Sequence, residues 1–369
     1  SYILFDCLND NTVECIDAFS LFEYMKNRRM KAYYVLLKNT QLYEQLKQTQ
    51  NLENIITIEN SSFERPDDFI KAIYEPLLRA KAVITSFGDN TEKIEEFFRT
   101  NKNFKYIFIQ HGPTFLKESV LEKKYLYPEK YDNILISSEN EYKLFKKYKW
   151  KDKQLIKCGL PRWDLLSKNI TNEKSILMMF TWRNISNLGF SNSLFKKNIL
   201  KLLNNREFIS YLTENNIKLY FAPHHSLKNL KDIDFNINNK NVEIIDTTKI
   251  SEYIKKCSCL ITDFSSVSFD FMFQDKPVIC YLMDRGDSVL KKYERKDIER
   301  FDYKKYILPN VFYEENYVIK KIKDYVEHNF VLEPEIKAKY DSFFYTKENI
   351  REQLTNKIEE LCRTEYVKK

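Results

Sequence analysis

Histidine is scarce in this chain: His111, His224, His225 and His328 stand among 369 residues. The first three follow apolar, strand-like runs. In open α/β sheets, ligands bind outside the carboxyl ends of the strands, so these three are candidates for chemistry by position alone. His111 follows Tyr106-Ile-Phe-Ile-Gln110 and precedes Gly112 and Pro113. Only five glycines occur, and placing one here implies a tight turn whose backbone lies close to something. An imidazole at that turn can take a proton from a hydroxyl near neutral pH, or can simply bond the turn. His224 and His225 follow Leu219-Tyr-Phe-Ala-Pro223. One of them can face the charge of a diphosphate. Neighbours in an extended chain point oppositely, so at most one is expected to act. Packing at a strand end, or adventitious metal, is the plainer alternative.

A second signal is Cys259-Leu-Ile-Thr-Asp-Phe-Ser-Ser-Val-Ser268. An apolar strand ends in Thr262-Asp263, and Val267–Phe273 reads as a buried helix. Ser265 and Ser266 then fall at a helix N-terminus, where unpaired N–H groups and the positive end of the helix dipole suit phosphate. Ordinary N-capping by Asp or Ser explains the same residues. Arg162, in Gly159-Leu-Pro-Arg-Trp-Asp164, and Arg183, in Thr181-Trp-Arg183, sit in short Trp-containing turns. A guanidinium can hold phosphate oxygens in a bidentate way, or form a surface or interdomain ion pair.

These residues need a scaffold. Tyr2–Cys7, Lys31–Lys38, Ala82–Ser86, Tyr106–Gln110 and Asn133–Ser137 read as strands, with helical periodicity over Asp17–Arg28. The polar stretch Ser167–Lys174 breaks the pattern, which then restarts. Ser175–Thr181, Lys218–Ala222, Val242–Ile245, Cys259–Thr262 and Pro277–Met283 read as strands, and Leu194–Asn215 as helix. Strands alternating with helices predict βαβ units and parallel sheets. The expectation is an α/β chain with two Rossmann-like domains, 1–168 and 169–335. The charged, helical 336–369 is expected to cap the second domain or cross back to the first. No GxGxxG or Walker A cradle is present, so a phosphate must be held some other way.

Bulk properties narrow the classes. Apolar residues make up 43% of the chain, ample for two cores and against intrinsic disorder. Sixty Lys and Arg against 53 Asp and Glu leave a net charge of +7, spread along the chain. Most of it reads as solvated surface, with attraction to polyanions or an anionic membrane face as the functional alternative. Zinc-finger spacing, an RNP aromatic motif and a dense basic arm are missing, so no nucleic-acid partner is expected. Seven scattered cysteines without a CxxC pair fit reduced thiols in a cytoplasm. No apolar run of membrane-spanning length and no signal peptide is visible. The chain begins at Ser1 rather than Met and enters strand-like sequence at once, which leaves both a whole protein and a piece of a longer one open. Asp232-Ile-Asp234 reads as a surface loop, so no metal site is expected.

Several motifs together resemble the CDP-glycerol glycerophosphotransferase family, the primases and polymerases of teichoic acids and capsules. Gln110-His-Gly112 resembles the family's WHG turn, with Gln in place of Trp. Cys158–Asp164 resembles its GxPRxD, and Ile176–Arg183 its APTWR, here starting Met179-Phe180. Pro223-His224 is similar to its HP element, with Ala222 where Arg is frequent. Leu260–Ser266 with Phe269-Asp-Phe271 and Lys276-Pro277 resembles its LITDYSS…FD…KP block. The pieces run in family order over roughly residues 1–290.

The resemblance implies a GT-B-like fold, two domains facing a central cleft: an N-terminal acceptor domain and a C-terminal nucleotide-donor domain. It implies transfer of glycerol phosphate, or ribitol phosphate, from a CDP-activated donor to a hydroxyl of a glycan, polyol-phosphate or lipid-linked acceptor, with release of CMP. His111 is then the general base, and His224 lies near the donor phosphates. Ser265 and Ser266 hold the pyrophosphate, Asp263 orients that turn, and Gly112, Thr181, Arg162 and Arg183 contact substrate or brace the cleft. No cofactor beyond the donor is implied. Peripheral contact with the cytoplasmic face of the membrane is an expectation from the charge and the acceptor class. The rival readings are a GT-B glycosyltransferase using a nucleotide sugar and a non-catalytic polyanion-binding subunit of a capsule assembly.

Overall fold

The computed structural model describes residues 1–6, 17–38, 40–59, 66–86, 92–101, 103–113, 128–166, 173–181, 193–223, 240–284 and 310–363. The chain divides into two compact units, Ser1–Leu165 with Phe344–Lys369, and Leu166–Phe343.

The first unit is built on strands β1 (Tyr2–Phe5), β2 (Ala32–Leu37), β3 (Ile55–Ile58), β4 (Ala82–Thr85), β5 (Lys105–Phe108), β6 (Asn133–Ile136) and β7 (Leu155–Lys157). They form a seven-stranded sheet in the order β3-β2-β1-β4-β5-β6-β7, and every neighbouring pair is parallel. A parallel sheet covered by helices on both faces needs strands that are apolar throughout. Ile3, Leu4, Phe5, Val83 and Ile84 meet that need and are fully buried. The connecting helices are α1 (Asp17–Asn27), α2 (Gln41–Gln48), α3 (Pro66–Leu77), α4 (Glu92–Thr100), α5 (Glu139–Lys147) and the short α6 (Trp163–Leu166). Phe69 and Phe98 from α3 and α4 pack against Phe5 with ring centroids 5.9 and 6.0 Å away.

The second unit repeats the plan. Its strands β8 (Glu173–Met179), β9 (Lys218–Ala222), β10 (Val242–Ile244), β11 (Cys257–Thr262), β12 (Val278–Tyr281) and β13 (Val311–Phe312) run in the order β10-β9-β8-β11-β12-β13, again all parallel. Its helices are α7 (Leu194–Leu203), α8 (Arg206–Glu214), α9 (Ile250–Lys256), α10 (Val267–Phe273), α11 (Glu315–Glu327) and α12 (Pro334–Phe343). The periodicity over Leu194–Asn215 predicts one helix. The structure breaks it at Asn204 and Asn205, where the Asn205 side chain accepts from the Phe208 N–H at 2.9 Å and starts α8. A short polar side chain competes well for backbone donors, which is why Asn favours such caps.

Both sheets follow the doubly wound order 3-2-1-4-5-6. Each reverses strand order at one place, between β1 and β4 in the first and between β8 and β11 in the second. The last helix, α13 (Ile350–Arg363), closes the first unit. Asp164 caps it, accepting from the Ile350 and Arg351 N–H groups at 2.9 Å each. A methyl group on Gly159 would come within 2.6 Å of Ile350 Cδ1 and 3.2 Å of Trp163 Cε3, so this glycine is there for close approach. The Gly159–Asp164 turn thus docks the C-terminal helix from both its ends.

Candidate functional site

Two constellations stand at the two places where strand order reverses. In the first unit, β1, β4 and β5 lie side by side, and each delivers a polar residue at its carboxyl end: Asp6, Ser86 and His111. His111 is exposed, on a turn whose preceding residue, Gln110, has a left-handed backbone with φ 56°. That conformation is uncommon for a residue with a Cβ. The Gln110 side chain is buried and donates to the Leu135 carbonyl, which ties the turn to β6. Gly112 and Pro113 behind it are buried.

The His111 ring lies with Nδ1 3.1 Å from the Ser86 carbonyl oxygen. A carbonyl only accepts, so Nδ1 carries the proton and the basic lone pair is on Nε2. Ser86 itself donates its hydroxyl to Asp6 Oδ1. Asp6 also accepts from the Ala18 and Phe19 N–H groups, both at 3.0 Å, and from the Tyr34 hydroxyl at 2.8 Å. Burial pushes its carboxyl up to about 6, against the pull of these donors and with the help of nearby Asp17.

Arg162 completes this constellation. Its guanidinium donates to Asp17 Oδ2 at 2.5 Å and to the His111 carbonyl at 3.0 Å, and its N–H reaches Asp17 Oδ1 at 3.2 Å. Asp17 opens α1 and is almost wholly buried. The charge of Arg162 is therefore engaged by an internal carboxylate and by the backbone of the histidine turn.

In the second unit, β8 and β11 deliver Thr181 and Asp263. Asp263 Oδ1 accepts from both the Thr181 N–H and its hydroxyl, at 2.9 Å each. The two strand ends are thereby pinned together. The turn Phe264–Ser266 leads into α10, a helix in which every residue is buried. Ser266 is its N-cap, and no hydrogen bond from the Ser266 side chain closes the cap. The Ser265 carbonyl accepts from the Ser268 N–H at 3.1 Å and from its hydroxyl at 2.8 Å. Buried Lys276 donates to the Ile254 and Lys255 carbonyls at 3.1 and 2.5 Å, capping the end of α9 that feeds β11. Burial pushes its ammonium down to about 8.

His224, His225, Arg183 and Asp232-Ile-Asp234 lie outside the described residues. His328 ends α11 on the surface and bonds the Asp324 carbonyl at 2.8 Å. Among the described residues, no group of three or more His, Cys, Asp or Glu is placed to hold a metal, and no helix is long and apolar enough to cross a membrane. Cys158, Cys257, Cys259, Cys280 and Cys362 are free and buried. Asp6, Asp17 and Ser86 are not legible as site residues in the sequence. Each is a lone polar residue at an element end, and only the strand order brings them to His111. For Asp6 and Ser86 the one signal that could have found them is a polar residue directly following an apolar strand; Asp17, at the start of α1, looks like an ordinary acidic residue in the first turn of a helix.

The chain matches, over residues 1–360, the family described as CDP-glycerol:poly(glycerophosphate) glycerophosphotransferase. It is 28% identical over 372 residues to the minor teichoic acid biosynthesis protein GgaB of Bacillus subtilis, covering 95% of this chain and 39% of that protein. It is 26% identical over 258 residues to the teichoic acid glycerol-phosphate primase of the same organism, covering 63% of this chain and 62% of the primase. The chain therefore spans less than two thirds of either relative. Among solved structures, the wall teichoic acid polymerase TagF superposes with a TM-score of 0.65 at 17% identity, covering 99% of this chain and 90% of that one. The UDP complex of MnaA from S. aureus superposes with a TM-score of 0.61 at 13% identity, covering 97% and 95%. At such identities the likeness is one of fold, the GT-B-like fold with its two doubly wound units.

Proposed function

The chain belongs to the CDP-glycerol:poly(glycerophosphate) glycerophosphotransferase family, and we propose that it transfers glycerol phosphate from CDP-glycerol to a hydroxyl of a teichoic acid-like acceptor, releasing CMP. The observation that carries this reading is the His111 ring, exposed on its turn with Nδ1 on the Ser86 carbonyl and its basic position at Nε2. A general base must present a lone pair to the proton it takes, and this tautomer does so.

The acceptor hydroxyl attacks the phosphorus that carries glycerol. Its proton passes to His111 Nε2. The bond from that phosphorus to the bridging oxygen breaks, and CMP leaves with the electron pair. The phosphate stays in the new linkage. Such a transfer needs positioning and charge stabilisation more than covalent help from the protein. The first unit serves the acceptor and the second the donor. In the second, the turn of Ser265 and Ser266, which follows the Asp263–Thr181 contact, is assigned to the diphosphate from the family motifs. His224 and Arg183 are assigned to the same phosphates from the family motifs, and Gly112 to the acceptor side. Arg162 braces the histidine turn through Asp17.

The test is nucleotide release. Purified protein is incubated with CDP-glycerol, CDP-ribitol and UDP-sugars, an acceptor extract and EDTA. CMP from a CDP-polyol, abolished in His111→Ala, supports the reading and names the donor. UDP from a sugar donor, or binding of polymer without nucleotide release, replaces it with one of the rival readings. The net charge of +7 further supports peripheral contact with an anionic membrane face. Co-sedimentation with anionic vesicles at low salt checks this, and protein left in the supernatant discards it.

A further inference from the structure

We infer that Asp6 is a positioning residue for His111, acting through Ser86. The inference rests on the reading of His111 as the base, and the path is short. Asp6 and Ser86 follow the adjacent parallel strands β1 and β4, which pair Phe5 with Thr85. Four donors converge on the Asp6 carboxylate: two N–H groups of the first turn of α1, the Tyr34 hydroxyl and the Ser86 hydroxyl. Asp6 is only 4% exposed. A buried group that receives four donors has to be an acceptor at both oxygens, which a carboxylate is and an amide is not. By holding the Ser86 hydroxyl, Asp6 fixes the peptide whose carbonyl accepts from His111 Nδ1 at 3.1 Å. The carboxylate never reaches the imidazole. It sets the direction of a carbonyl, and the carbonyl sets the tautomer.

Tyr34 supplies the control. Its hydroxyl lies on the same carboxylate but on Oδ2, away from Ser86. If Asp6 merely stabilises the fold, Tyr34→Phe and Ser86→Ala have equivalent consequences. If it positions His111, only Ser86→Ala and Asp6→Asn reach the ring.

The experiment uses the full chain labelled with ¹⁵N-histidine. Long-range ¹H–¹⁵N correlation spectra read the tautomer of His111, assigned by the signal lost in His111→Gln. The wild type and Tyr34→Phe are expected to hold the Nδ1–H form. Ser86→Ala and Asp6→Asn are expected to populate the Nε2–H form. Their kcat for CMP release should fall on the order of tenfold at unchanged donor KM, a part of what a positioned base contributes. A wild-type tautomer in folded Ser86→Ala overturns the inference, even if Asp6→Asn fails to fold. The spectra need no substrate. A Ser86-dependent tautomer in a protein that releases no CMP would support the positioning role while removing the phosphotransferase reading.

Discussion

Arg162 and Asp17 form a buried ion pair, 2.5 Å apart, with side chains 11% and 1% exposed. The same guanidinium nitrogen also holds the His111 carbonyl at 3.0 Å. The pair joins the turn before α6 to the start of α1 and to the histidine turn, so it organises the site without touching its reacting face.

A buried pair is costly to break from one side, because the remaining charge loses its counter-charge. Arg162→Ala is therefore expected to lose about 3–5 kcal/mol of stability. Asp17→Asn combined with Arg162→Ala should recover part of it, since the double variant leaves no uncompensated carboxylate. Urea denaturation of the two single variants and the double variant measures the coupling. Additive losses would mean that the two residues act independently. Arg162→Lys should fold better than Arg162→Ala yet fail to serve both acceptors, because an ammonium lacks the planar fork.

Asp164 and Gly159 fasten the C-terminal helix. Asp164→Ala removes an N-cap from α13 and should cost about 0.5–2 kcal/mol. Gly159→Ala drives a methyl group into Ile350, itself fully buried, and overpacking of this kind costs about 1–3 kcal/mol. Ile350→Val removes the Cδ1 that the new methyl meets. Thermal denaturation of Gly159→Ala with and without Ile350→Val should show the second change rescuing the first. An equal loss in both backgrounds would place the strain elsewhere.

Much of this architecture is legible in the order of residues alone. The strands β1, β2, β4, β5, β6, β8, β9, β10, β11 and β12 all overlap runs read as strands, because a strand covered on both faces is mostly apolar. β7 and β13 leave no such mark, having three and two residues, too few for any pattern to develop. β3 is four residues with three only partly buried, a weak signal at a sheet edge. His111 and the Asp263–Ser266 turn are visible through residue type and position. Asp6 and Ser86 are not, because their meaning lies in β1 sitting beside β4, a neighbourhood made by winding the chain rather than by proximity along it.

The Asp6 carboxyl gives stability a distinct pH dependence. Burial raises it from 3.8 to about 6. The native state then binds the proton more tightly than the unfolded chain between those values. Stability from this group is fully present below about pH 4 and is lost as pH rises through about 6. The loss amounts to roughly 3 kcal/mol between about pH 4 and 7. Asp6→Asn lacks this contribution. Denaturation of both proteins across that range should show wild type losing ground to the variant as pH rises. Parallel curves would mean that the carboxyl titrates as it does in the unfolded chain.

The last expectation concerns the donor side. Thr181 gives Asp263 two hydrogen bonds, one from its N–H and one from its hydroxyl. Thr181→Val keeps the first and deletes the second at nearly constant shape. A hydrogen bond to a charged group is worth about 1.5–3 kcal/mol, so the variant should be measurably less stable. Its functional effect should separate from that of Ser86→Ala. On the proposed assignment, loosening the ends of β8 and β11 disturbs the turn proposed to receive the diphosphate, and donor KM is expected to rise. Loosening Ser86 disturbs the base, which lowers kcat. Steady-state CMP release against donor concentration distinguishes the two. A Thr181→Val enzyme with normal donor KM and reduced kcat would show that this turn serves the reacting centre rather than donor binding.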